Sequence, residues 1–546
     1  MLILTFAAIA LIAALAHVAG RPAARVNDVA RKLDTRGILA VVFVATFLLL
    51  WYSWSSTNPI PVVHDEMAYV LQSKIFASGH WSLPSPPLPA FWEQPHVLVE
   101  PALAAKYFPG HALVLTIGSF LGWPALMPLV LQSAAAVLLY ALARRVAGGP
   151  VAFATWIIWL TSPIVLHFGP TYYSESTTVV CWLAGWTCLL EWRAQRSLPW
   201  LLGVAFSVAW CFVTRPLTGV AYGLPIMFVV MRDVHAGKHW RQLLVAVALG
   251  AAVLGIIPLW SALTTGDWRT TPLLLYTRQY MPYDVPGFGL ITTPPALEIS
   301  PQLGYLNQAY ARWHVHHFPS TLPAISVQRL RPLSESVWGL SRGVLVVFAL
   351  MGLLVLDSVT LFAVVSAAIL FLLYLTFATP PGWTLYYYEA VPTLAFLTAA
   401  GLAWAVSMFG RPRPTAPSRS YSWTSPRWAM PLALGALMLS VAVVPALKRV
   451  RAEHVRSQRV MNEFDAVPRA IPEQKALLFV YYKPTHDPNV SFVRNSPAPW
   501  AERVWVVRDR GPEENARLMA MSPDRAAYLY DEEQKALFRY DPRRVR

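Results

Sequence analysis

Charge is scarce in this chain. Of 546 residues, 13% are Asp, Glu, Lys or Arg, against about 25% in an ordinary soluble protein. Cysteine is scarcer still. Cys181, Cys188 and Cys211 are the whole complement, all in apolar segments and without a CxxC spacing. They suggest neither a zinc site nor a disulfide framework and read as packing residues. There is no Walker loop and no GxGxxG ahead of a helix, so nothing points to direct use of ATP or a dinucleotide. No internal repeat is visible, which weighs against the paired halves of many secondary transporters.

What is abundant is apolar sequence, 56% of the chain. Runs close to the roughly 20 residues of a membrane-spanning helix recur almost throughout. They are Leu2–Ala19, Ile38–Trp54, Ala125–Leu142, Val151–Phe168, Thr177–Leu190, Trp200–Val213, Leu217–Met231, Leu243–Leu263, Gly343–Leu356, Val359–Ala378, Ala390–Phe409 and Trp428–Leu447. Ala14-Leu15-Ala16 looks like a signal-peptide cleavage site, but the basic n-region is missing, so the first run reads as an uncleaved helix. The expectation is an all-α polytopic membrane protein of about 12 spanning helices.

The net charge of +15 does not indicate nucleic acid, because the basic residues fall in short loops on alternate sides. One set is Arg21, Arg25, Arg31, Lys32 and Arg36. Later sets are Arg144 and Arg145; Arg193 and Arg196; Arg232, Lys238 and Arg241; and Arg411, Arg413, Arg419 and Arg427. With all of these cytoplasmic, three segments face the other side: Ser55–Pro109, Thr264–Arg342 and the tail after Leu447.

Two parts are expected, a membrane domain over 1–447 and a small extracytoplasmic α/β domain over 448–546. In the first outer loop Met67–Ala77 has helical periodicity, Ser82–Pro101 is proline-rich, and Gly110–Leu121 reads as a helix lying in the interface. In the tail, Ala476–Tyr482, Arg503–Val507, Ala526–Tyr530 and Ala536–Tyr540 read as strands and Glu513–Met521 as a helix.

Polar residues that carry chemistry cluster on the outer side. His64-Asp65-Glu66 directly follows an apolar span. An acid deep in a bilayer costs roughly 2.5–3.5 kcal/mol, whereas a pair at the surface can face a polar cavity. Glu100, Lys106, Tyr107 and His111 follow in EPALAAKYFPGHALVL, then Tyr172, Tyr173 and Glu175 in GPTYYSES, Arg215 in FVTRPLTG, and Tyr386-Tyr387-Tyr388-Glu389. Arg278 lies in the second long outer loop. Acids can take a proton from a hydroxyl nucleophile, and cations can hold a lipid phosphate as it leaves. Each also has a plainer reading: Asp65 and Glu66 as helix caps, Lys106 as a snorkelling anchor, Arg215 as the partner of Glu175, and the tyrosines as interfacial belt. His314, His316 and His317 form a weak HxHH group. No metal is assigned to it, and a divalent cation stays open.

This order of motifs, over roughly Leu39 to Gly410, resembles the GT-C glycosyltransferases, in particular the family-39-like branch of protein O-mannosyltransferases and aminoarabinose transferases. An acidic pair opens the first outer loop (Asp65-Glu66), a basic-aromatic-proline element precedes an interfacial helix (Lys106-Tyr107-Phe108-Pro109), a second acid follows (Glu175), then a TRP element (Thr214-Arg215-Pro216) and a tyrosine-rich helix start. The resemblance implies an inverting glycosyltransferase acting at the outer face of the membrane, and the compact loops and lack of eukaryotic sorting signals fit a bacterial inner membrane. Its donor would be a polyprenyl-phosphate sugar and its acceptor a glycan, lipid or protein hydroxyl. Asp65 would be the base, assisted by Glu66 and Glu175. Lys106 and Arg215, with Tyr107, Tyr387 and Tyr388, would hold the donor. His64, Glu100, His111, Tyr172, Tyr173 and Arg278 would line the cavity. The spacing of Glu100 to Lys106 is looser than a tight EKP element, and the tail departs from both named subfamilies. The rival reading is a secondary transporter or lipid flippase.

Overall fold

The computed structural model describes residues 35–54, 58–409 and 444–541. The runs Leu2–Ala19 and most of Trp428–Leu447 lie outside the described residues, as do Arg21, Arg25, Arg31, Lys32, Arg411, Arg413, Arg419 and Arg427.

The chain is mostly helical. It begins with α1 (Ile38–Trp54) and α2 (His64–Ala77), then a small antiparallel sheet of β1 (Leu83–Pro84), β2 (Val97–Leu98) and β3 (Ala102–Ala105) in the order β1-β3-β2. The helices α3 (Gly110–Phe120), α4 (Leu126–Ala147), α5 (Gly149–Leu160), α6 (Pro163–Phe168), α7 (Glu175–Gln195), α8 (Leu198–Thr214), α9 (Pro216–Gly237), α10 (Trp240–Leu254) and α11 (Ile256–Thr265) follow. Next come α12 (Pro272–Gln279), α13 (Pro301–His314), α14 (Leu322–Trp338), α15 (Val344–Gly352), α16 (Ser358–Tyr374) and α17 (Val391–Phe409). The tail holds α18 (Val444–Ala470), β4 (Ala476–Tyr481), β5 (Val504–Arg508), α19 (Pro512–Met521), β6 (Ala526–Asp531) and β7 (Ala536–Arg539).

Among the described residues three stretches are long and apolar enough to cross a membrane: Leu126–Ala147, Pro216–Gly237 and Trp240–Thr265. Shorter apolar helices accompany them, including Ile38–Trp54, Leu198–Thr214 and Ser358–Tyr374. The run expected over Val151–Phe168 is broken. Ser162 is extended at ψ 132° because Pro163 disfavours helical geometry in the residue before it. The segment Thr264–Arg342 is more ordered than its prolines suggest and carries α12, α13 and α14, each with proline in its first turn. Close packing of α15 on α17 needs glycine: a Cβ on Gly401 would fall 1.8 Å from the Phe348 carbonyl oxygen, and one on Gly352 2.1 Å from that of Leu397.

The two ends of the bundle differ chemically. Helix α7 starts at Glu175 and carries Arg193 eighteen residues later, about 27 Å along its axis, close to the thickness of a bilayer core. At the Arg193 end, Arg193, Arg196 and Arg232 converge on Asp233, and Arg145 pairs with Glu191. At the Glu175 end lie the acids and tyrosines singled out above.

In the tail sheet, of order β5-β4-β6-β7, the central β4 runs parallel to both neighbours. The sheet shares a core with the first outer loop. Leu477, Phe479 and Val507 pack in one cluster with Ala68, Leu71, Phe91, Leu103 and Tyr276. Truncating a buried aromatic such as Phe479 to Ala costs about 3–5 kcal/mol. Polar ties reinforce the docking: Arg508 lies 3.4 Å from the Glu93 carboxylate, Val63 forms a β-bridge with Val490, and Gln458 exchanges hydrogen bonds with the backbone of Ile60.

Candidate functional site

The first turn of α2 sets one wall. Glu66 is its third residue and accepts the backbone N–H groups of Val62 (3.2 Å) and Val63 (3.3 Å), which a helix start leaves without internal partners. Its other oxygen accepts the N–H of Tyr172 at 3.2 Å. Glu66, expected among the catalytic carboxylates, therefore spends its bonding on backbone and clamps α2 to the turn before α7.

Asp65 is left to face the cleft. The Tyr107 hydroxyl donates to its Oδ1, and His96 Nε2 stands 3.9 Å from Oδ2. Burial pushes the Asp65 carboxyl above the ordinary range, while the Tyr107 hydrogen bond and the nearby Lys106 charge oppose that rise. His64 is buried beside this pair. It packs edge-on against His96 at 5.2 Å, and burial lowers its pKa to about 3.

Lys106 follows β3, and its backbone is fixed by N–H donation to the His96 carbonyl at 3.0 Å. Its ammonium is buried, lies over the rings of Tyr107 and Tyr276, and contacts Asp284 at 2.7 Å. Asp284, 178 residues away in sequence, was not among the sequence candidates. A long-range contact of this kind leaves no local pattern.

Arg215 stands at the break between α8 and α9. Pro216 disfavours helix at the preceding residue, and Arg215 is extended at φ −144°, ψ 94°. The break presents its guanidinium to Glu175, to Ser174 Oγ at 3.3 Å and to the Tyr374 hydroxyl at 2.9 Å, with the rings of Tyr374 and Tyr386 each 5.6 Å away. The ion pair with Glu175, one of the two readings of Arg215, is thus formed.

Tyrosines join the two clusters. Tyr69 stacks on Tyr107 at 4.7 Å, and its hydroxyl feels Arg215, Glu175 and Asp65. Tyr386 lies within the fields of Asp284, Arg215 and Asp65, and Tyr310 within those of Asp284, Tyr386 and Asp65. Burial pushes the Tyr173 hydroxyl up, and the charges of Asp65, Glu66 and Glu175 add to that rise. Tyr69 and Tyr310 had no sequence signal beyond being aromatic, while Tyr386 opened the tyrosine-rich helix start.

Other candidates point elsewhere. The Tyr387 hydroxyl accepts from Arg329 at 3.0 Å, and Tyr388 donates to Gln132 at 3.0 Å, so both serve the bundle interior rather than the cleft. His111 ties Thr177 (2.8 Å) to the Tyr172 carbonyl (2.9 Å), and Tyr172 donates to the Pro59 carbonyl. These residues position the turn before α7. Glu100 sits between β2 and β3 near Tyr280, and Arg278 is exposed on α12. His314 Nε2 meets the Tyr283 carbonyl, and among the described residues no group of three or more His, Cys, Asp or Glu could hold a metal.

Three comparisons bear on this arrangement. Residues 106–261, which include Lys106, Glu175 and Arg215, match the family described as dolichyl-phosphate-mannose-protein mannosyltransferase. The apo structure of ArnT from Cupriavidus metallidurans is similar in fold, with a TM-score of 0.52 and 15% identity over 91% of this chain and 93% of that one. Its undecaprenyl-phosphate-bound form gives 0.48 at 15% identity over 91% and 94%, and arabinosyltransferase EmbB from Mycobacterium smegmatis gives 0.44 at 14% identity over 81% and 42%. No curated protein matches the chain in sequence.

Proposed function

We propose, for a chain whose resemblance to the GT-C membrane glycosyltransferases now stands on fold as well as motif order, that it is an inverting transferase. It moves a sugar from a polyprenyl-phosphate donor to an acceptor hydroxyl. The acceptor O–H gives its proton to Asp65 as its oxygen bonds to the anomeric carbon. The carbon–phosphate oxygen bond breaks on the opposite face, and its electron pair leaves on the lipid phosphate. Lys106 and Arg215 hold that phosphate and offset the growing charge. Glu175 aims Arg215, Glu66 aims the turn that carries Asp65, and Tyr107 orients the Asp65 carboxyl.

The reading rests chiefly on one observation. A cleft-facing carboxylate, Asp65, lies in the same tyrosine-lined cluster as two cations, Lys106 and Arg215, brought from separate parts of the chain. Each cation is already matched by a carboxylate, Asp284 or Glu175. A phosphate arriving at Lys106 meets an ammonium already bonded to Asp284.

We place this cleft on the extracytoplasmic face of a bacterial inner membrane. The bundle of about 12 spans occupies 1–447, and 448–546 forms the outer α/β part. The opposite, arginine-rich ends of α7 and α9 favour that orientation. The test is a transfer reaction with purified protein in nanodiscs, using polyprenyl-phosphate sugars as donors. Release of the lipid phosphate together with a glycosylated acceptor supports the reading. Translocation of the carrier without transfer would favour a flippase instead.

A further inference from the structure

A second cavity, of about 360 Å³, lies between the end of α18, the loop leading into β5 and the first outer loop. Its size falls in the usual range for small-molecule sites. Trp92 and Trp505 form part of its lining, and Trp500 packs edge-on against both, with ring centroids 5.8 and 5.5 Å away. Trp500, which packs on these two lining rings, is 43% exposed. The indole N–H of Trp505 is buried and has no acceptor among the described residues.

Most polar groups of this cavity are already paired. Arg494 bonds Asp465, Ser496 donates to Glu502, and Arg503 gives its protons to the backbone carbonyls of Pro468, Ile471 and Glu473. Arg494 and Arg503 are engaged by Asp465 and by backbone carbonyls, and the one further cation, Arg469, is exposed. A phosphate site would bring several free cations together rather than one. Aromatic faces beside planar donors and acceptors suit a ligand with flat C–H faces and many hydroxyls.

We propose that this cavity binds a neutral saccharide stretch, and that the stretch belongs to the acceptor. That role rests on the transferase reading; the binding chemistry does not. Helix α2 connects the two sites. Asp65 is at its start, and Lys74, which lies within the fields of Arg494 and Glu502, is nine residues on, about 14 Å along the axis. A glycan held at the cavity can therefore extend along the outer loop toward the cleft.

The experiment uses the full chain in nanodiscs and labelled neutral oligosaccharides of glucose, mannose, galactose and arabinose. Binding is read directly, with no donor present. At least one oligosaccharide should bind. Trp500→Ala and Glu502→Gln should each weaken it by about tenfold, or about 1.4 kcal/mol, while Trp500→Phe retains it and the melting temperature holds. A protein inactive in transfer but binding sugar would sink the transferase reading and leave the site standing. The site is overturned by no oligosaccharide binding up to about 1 mM, by unchanged affinity in Trp500→Ala and Glu502→Gln, or by binding only to anionic phospholipid vesicles.

Discussion

Asp284 holds the buried ammonium of Lys106 at 2.7 Å across 178 residues of sequence. Removing one member of a buried pair leaves the other charge uncompensated, typically at about 3–5 kcal/mol. Asp284→Asn should therefore lower the melting temperature of the ligand-free protein. A polyprenyl phosphate should restore it, with a larger thermal shift than in the wild type because it supplies the missing anion. An equal shift in both proteins would mean that Lys106 does not meet the phosphate.

Asp65→Asn keeps shape and removes the basic oxygen. Turnover should fall by roughly 100-fold or more, the scale of a lost general base, with donor binding intact. Burial raises the Asp65 pKa, and a base works only when ionised. In the wild type, activity should therefore decline on the acid side at a pH above the ordinary carboxylate range. A pH–rate profile on single-turnover transfer checks both points.

Arg215→Lys preserves charge but loses the planar fork that spans Glu175, Ser174 and Tyr374. Affinity for polyprenyl phosphate should drop by about tenfold, measured by calorimetry in nanodiscs. Retained affinity would assign Arg215 a structural role alone.

Glu66→Ala leaves three backbone N–H donors, those of Val62, Val63 and Tyr172, without their acceptor. At about 1–3 kcal/mol for each buried donor left unmade, the loss should be visible first as a lower melting temperature. A stable but inactive Glu66→Ala protein would return Glu66 to the chemistry.

His64 is buried neutral, with its pKa depressed to about 3 from an ordinary 6.5. The unfolded chain binds the proton more tightly, so this contribution is complete above about pH 6.5 and is lost as pH falls toward 3, at up to about 1.4 kcal/mol per pH unit. His64→Phe should flatten that acid limb of the melting curve. An unchanged slope would place the acid sensitivity elsewhere.

Helices were legible where apolar runs were long, as in α4, α8 and α9, because burial in lipid or protein demands them. The tail strands were legible from β-branched and aromatic runs, and β4 differs from its expected span by one residue. By contrast α12 to α14 mix polar residues with proline and carry no clean period. At the site, Asp65, Lys106, Glu175 and Arg215 stood out as charges in an apolar chain. Asp284, His96 and Tyr69 did not, since their meaning lies in which distant residue they meet. Three consecutive tyrosines on a helical turn cannot all face one side: the Tyr387 and Tyr388 hydroxyls bond Arg329 and Gln132, while Tyr386 lies within the field of Asp65.

The docking of the tail has a consequence for timing. Val490 bridges Val63, the residue just before His64, and Arg508 is the buried counter-ion of Glu93. A ribosome delivers those partners only after the membrane helices have emerged. Until then Glu93 lacks its cation and Val63 its β-bridge partner. These contacts therefore form late in the chain's own synthesis, and a nascent chain halted before Arg508 lacks the Glu93 counter-ion.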